Sequence, residues 1–116
     1  MSFSLSKSQV LSEFESAEFI LKTQLQIAKD LGLFNIEFDE NFKANSLNYD
    51  DILLALETKL AELMSLNERT FMQYLYQVDL PETEFLNLLH DPKFLPKISK
   101  LILNREAYKV YLRAKY

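Results

Sequence analysis

The stretch NYDDILLALETKLAELM, Asn48–Met64, sets the fold class. Tyr49, Ile52, Leu53, Leu56, Leu60, Leu63 and Met64 recur three or four residues apart, which lines one face of a helix. Asn48 suits the cap, and Asp51 is an acid in the first turn, where the helix dipole favours it. Downstream, Asn67 caps a further helix with core residues Phe71, Leu75 and Val78 and with Tyr74 at its edge. In Asp79-Leu80-Pro81-Glu82, an Asp cap, a Glu three positions on and a first-turn Pro predict another helix start. That helix carries Phe85, Leu86, Leu88 and Leu89 and ends near His90. Asp91-Pro92 makes a turn, and Pro96 begins a last helix through Ile98, Leu101, Ile102, Tyr108, Tyr111 and Leu112.

Upstream, a first helix is expected from Ser6 or Ser8, with residues 1–7 a loose tail. Val10, Phe14, Ala17, Leu21, Leu25, Ala28 and Leu31 form its stripe, broadened by Phe19, Ile20 and Ile27. Gly32 follows at a position suited to a left-handed helix stop. Residues 33–47 are an irregular connection in which Phe34, Ile36 and Phe38 alternate with polar residues. The segment reads either as an extended strap anchored by Phe34, Ile36, Phe38 and Phe42, or as a strand paired with its copy in a dimer. The whole, residues 1–116, is expected to be one all-α domain, a compact antiparallel bundle of about five helices.

Composition agrees. One Gly, three Pro and no Asn-Gly or Asp-Gly dipeptide leave little turn chemistry for a sheet. With no Cys there are no disulfides, thiolate nucleophiles or thiolate metal ligands. No apolar run approaches the ~20 residues that span a bilayer, and residues 1–7 lack the pattern of a secretory signal. A cytoplasmic protein without a membrane partner is the expectation.

Charge divides sharply along the chain. Residues 1–91 hold six Lys/Arg against sixteen Asp/Glu, a net of −10. Residues 92–116 hold seven Lys/Arg against Glu106 alone, a net of +6. Such a basic tail either folds back on the acidic body or is offered to an acidic partner. Arg105, Lys109 and Arg113 stand four apart along one helix side, interleaved with Tyr108 and Tyr111. Lys109 and Arg113 are therefore candidate partner-binding residues. Arg105 falls on the apolar side of the same helix and needs a carboxylate to offset its desolvation. Asp79 or Glu82 is the expected ion-pair partner.

Catalysis finds little support. His90 is the only His, at a helix end, with no second catalytic type placed beside it. Asp50-Asp51 and Asp39-Glu40 lack the alternating oxygen ligands and central Gly of a calcium loop, and read as helix-start acids and a solvated loop. One Gly cannot build a phosphate-binding loop. No catalytic, metal or cofactor site is expected.

The stretches Leu75-Tyr76-Gln77-Val78-Asp79-Leu80-Pro81-Glu82 and Leu101–Arg113 resemble a group of short bacterial all-α proteins. These share a "Leu-Tyr-x-hydrophobic-Asp" helix end and an "Ile-x-x-Arg-Glu-x-x-Lys" stretch near the C-terminus. The resemblance implies a small bacterial cytoplasmic helical protein, supplies no activity, and links the segments around Asp79 and Arg105. The functional expectation is a non-catalytic protein-interaction or adaptor module. The alternative is a nucleic-acid-associated protein that lays its basic last helix along a phosphate backbone.

Overall fold

A computed structural model describes residues 16–115 and shows an all-α bundle. Among these residues lie α1 (Ala17–Gly32), α2 (Glu40–Ala44), α3 (Tyr49–Leu66), α4 (Glu68–Gln77), α5 (Glu82–Leu88) and α6 (Phe94–Lys115). No strand occurs among them. The helix start expected at Ser6 or Ser8, the tail over 1–7, and the positions of Val10 and Phe14 lie outside the described residues. The long last helix α6 packs mainly on α3 and α1, while α4 is held against α3.

Helix α3 follows its sequence except at Met64, which is exposed rather than on the buried face. Asn48 Oδ1 accepts from Asp51 N at 2.8 Å, and Ile52, Leu53, Leu56, Leu60 and Leu63 are buried. Asn67 Oδ1 accepts from the N–H groups of both Arg69 and Thr70, so one side chain starts α4 immediately after α3 ends. Beside these helices Phe71, Phe85 and Phe94 meet with ring centroids 5.9–6.4 Å apart, an apolar aromatic corner.

Helix α1 departs from expectation at both ends and on its buried face. Ser16 is in an extended conformation and caps Phe19 N, so the helix that carries Leu31 begins at Ala17. Gly32 does not adopt a positive φ but lies inside the helix. The left-handed residue is Asn35, at φ 64°. Ile36 N bonds Leu31 O and Asn35 N bonds Gly32 O, a Schellman closure whose Leu31 and Ile36 are both buried in the same core cluster.

The same device closes α4. Asp79 has φ 58°, with Leu80 N on Leu75 O and Asp79 N on Tyr76 O. Asp79 is thus the stop of α4 rather than the cap of α5, whose Pro81 cap position carries no side-chain hydrogen bond. The pattern Leu-x-x-x-(Asn/Asp)-(Ile/Leu) recurs at both reversals. Asn and Asp tolerate the left-handed region better than other side chains, which lets the chain turn with a single Gly.

The connection over 33–47 is an anchored strap that also contains α2. Ile36, Phe38 and Phe42 are buried, and the rings of Phe38 and Phe42 stack at 4.1 Å. Asp39 Oδ1 accepts from Phe42 N and starts the short helix, making Asp39-Glu40 a cap with its first-turn acid. Gln24 of α1 ties this strap down. Its Nε2 donates to Phe42 O (2.7 Å) and Asn45 O (2.9 Å), and its Oε1 accepts from Leu47 N (2.8 Å). The buried face of α1 is consequently Phe19, Thr23, Gln24, Gln26, Ile27, Asp30 and Leu31, while Leu25 stays 42% exposed.

Candidate functional site

The polar face of α1 meets an equally unusual face of α6. On α6 the buried residues are Ile98, Ser99, Ile102, Leu103, Glu106, Ala107 and Val110. The buried ionisable side chain is therefore Glu106, one position beyond Arg105. Arg105 is half-buried and forms no ion pair with Asp79 or Glu82, both of which are exposed. Its guanidinium lies 5.5 Å from the Tyr108 ring centre, and its buried Nε has no hydrogen-bond partner among the described residues. Packing on an aromatic face replaces the expected carboxylate.

Glu106 belongs to a layer shared with Asp30, Tyr74 and Lys109. Tyr74, expected at an edge, is fully buried, and its hydroxyl donates to Glu106 Oε2 at 3.2 Å. Lys109 Nζ donates to Asp30 Oδ2 at 2.8 Å and lies 3.7 Å from Glu106 Oε1. Gln26 Nε2 donates to Asp30 Oδ1 at 3.0 Å. Gln26 Oε1 in turn accepts from Arg113 Nη1. A hydrogen-bonded chain therefore runs from buried Asp30 through Gln26 to Arg113 at the surface, with Lys109 standing between Asp30 and Glu106.

Protonation follows from this arrangement. Burial pushes Glu106 up, and its hydrogen bond with Asp30 and the Asp30 charge raise it further, to about 9, against weaker opposition from Lys109 and Tyr74. Burial also opposes ionisation of Asp30. Hydrogen bonds from Glu106, Lys109 and Gln26, with the Lys109 charge, outweigh it and hold Asp30 below its ordinary value. Burial, then the neighbouring acids, lift Tyr74 well above the usual phenol range. At neutral pH the layer is one Lys109–Asp30 ion pair beside a neutral Glu106 and a neutral Tyr74. Two buried acids coexist because one of them keeps its proton.

In front of Gln26 lies an open groove of about 330 Å³ between α1 and α6. Lys22, Leu25, Gln26 and Lys29 line it from α1, and Val110, Arg113 and Ala114 from α6. Of the expected partner-binding residues, Arg113 stands on this groove, whereas Lys109 is committed inward to Asp30. Lys22 also bonds Glu18 at 3.0 Å, a solvent-exposed pair that exchanges easily. His90 is exposed, and no cluster of three or more His, Asp or Glu among the described residues could hold a metal ion. Among the described residues no helix is long and apolar enough to cross a membrane.

Apolar spacing carries no signal for Asp30, Glu106, Gln24 and Gln26, and it leaves Tyr74 at a helix edge. The available signals were the i,i+4 spacing of Gln26 and Asp30 and the isolation of Glu106 as the one acid of the basic tail. Comparison with protein-family models, curated proteins and solved structures finds no match.

Proposed function

We propose that the protein is a non-catalytic interaction module that meets its partner through the α1/α6 groove. The observation that carries this reading is the groove itself. Exposed Leu25 and Ala114 and the edge of buried Val110 form an apolar strip, flanked by Lys22, Lys29 and Arg113 and floored by the Asp30–Gln26–Arg113 hydrogen bonds. A preorganised apolar strip with a charged rim is the usual anatomy of a protein contact. Glu106 and Tyr74, both raised well above their ordinary values, are enclosed at 0% exposure. The run of cations that suggests a phosphate-binding stripe is divided, with Lys109 turned to Asp30 and Arg105 laid on Tyr108.

Replacing Leu25 by the photoreactive p-benzoylphenylalanine in the protein's native cells tests the reading. A discrete crosslinked product, lost on Arg113→Glu, is expected from Leu25 and not from the same probe at Leu54, which is exposed on α3. Crosslinking from Leu54 alone moves the contact surface to α3 and rejects the groove.

A further inference from the structure

Resting on that reading, we infer that the groove takes an acidic amphipathic helix as the third member of a cradle formed by α1 and α6. Lys22, Leu25, Gln26 and Lys29 occupy i, i+3, i+4 and i+7 on one face of α1, so the two lysines stand about 10 Å apart along the axis. Val110, Arg113 and Ala114 give the facing wall the same i, i+3, i+4 spacing. An occupant must cover an apolar strip and place anions at both ends of it. A helix with Leu at i+3 and i+4 between acids at i and i+7 does both, repeating the spacing of the lysines with opposite charge.

The charge of the site favours this occupant over a basic or neutral one. Three cations face the groove, and two of them, Lys29 and Arg113, have no acid paired to them among the described residues. Glu18 is paired with Lys22, and Asp30 is buried behind Gln26 and held by Lys109. Gln26 holds the Arg113 guanidinium at the rim, so its orientation is set before binding. The groove is open rather than enclosed, which suits a helix laid across it better than a small molecule needing near-complete enclosure.

The test uses the full chain and fluorescence anisotropy with four labelled helical peptides. The first carries Glu at i and i+7 and Leu at i+3 and i+4. The others replace Glu by Gln, Glu by Lys, or Leu by Ser. The acidic Leu peptide should bind, its Gln form about tenfold more weakly, and the Lys and Ser forms more weakly still. Lys29→Glu, an exposed change that leaves the Gln26–Arg113 bond in place, should weaken the acidic peptide by about tenfold, and Lys29→Glu with Arg113→Glu further. Thr58→Glu on α3 should change nothing.

Equal binding of the Glu, Gln and Lys peptides, or indifference to Lys29→Glu in a variant of unchanged circular dichroism, overturns the inference. A concentration-dependent dimer in sedimentation that dissociates on Lys29→Glu overturns it too, since the occupant is then a second copy. If no peptide binds while the Leu25 crosslink persists, the occupant chemistry is wrong and the groove stands. If both fail, the interaction reading falls with it.

Discussion

Helix α6 has two sides of different character. Toward α3 and α5 it meets an apolar corner, with Leu56, Leu60, Phe71, Phe85 and Phe94 packed together. Toward α1 it meets Gln26, Asp30 and the side chains that serve them, beside a small apolar cluster of Phe19, Ala107 and Val110. Apolar packing is non-directional and tolerates repacking, so the first seam supplies stability without insisting on one register. Each bond in the second seam works only with its one partner, so that seam fixes how α1 sits on α6 and connects the interior to the groove. Selecting register with buried polar groups costs stability and makes the fold sensitive to pH.

The largest test of this contrast lies on the apolar side. Phe71→Ala should remove about 4 kcal/mol of stability, with little variation between pH 5 and 8, as measured by urea unfolding. Gln24→Leu keeps a similar volume but strips three hydrogen bonds from the strap, and should cost about 3 kcal/mol. A loss below 1 kcal/mol would show that the strap is held by Ile36, Phe38 and Phe42 alone.

Glu106→Gln should act in the opposite direction. The folded chain holds the Glu106 proton to about pH 9, whereas the unfolded chain releases it near 4.5. Between these values the unfolded state binds fewer protons, so the contribution of this group to stability falls as pH rises. Gln presents a neutral amide in the same place, and should stabilise the protein at pH 8 and by much less at pH 5. Asp30, held low, adds stability above its unfolded value that is lost as pH falls through its lower folded value. The wild type should therefore be most stable in mildly acidic solution. Thermal unfolding from pH 3 to 9 reads both limbs, and a stability that rises from pH 5 to 8 contradicts a neutral Glu106.

The smallest expected effect distinguishes the two possible stops of α1. Gly32 sits inside the helix, without a positive φ, and an added Cβ there meets nothing within 4 Å. Gly32→Ala should stabilise by roughly 0.5–1 kcal/mol through helix propensity and a less flexible unfolded chain. A loss of stability in thermal unfolding would return the left-handed stop to Gly32.

The sequence alone determined what depends on neighbours within a turn or two. The stripe of α3, the caps at Asn48 and Asn67, the turn at Asp91 and the anchors Ile36, Phe38 and Phe42 were legible because periodicity and capping are local. The all-α class followed from them. Asp79 was misread for a local reason of its own: Asp suits a helix start and a left-handed stop alike, and only the backbone path chooses between them. Partners far apart in the chain were decided by the tertiary structure. Gln24 finds the strap about twenty residues on, Lys109 finds Asp30 across 79 positions, and Arg113 finds Gln26 across 87. A polar side chain at a core position is stable only when a distant group satisfies it, and no local pattern announces that group. The groove, its cations and its floor came into being only when α6 closed over α1.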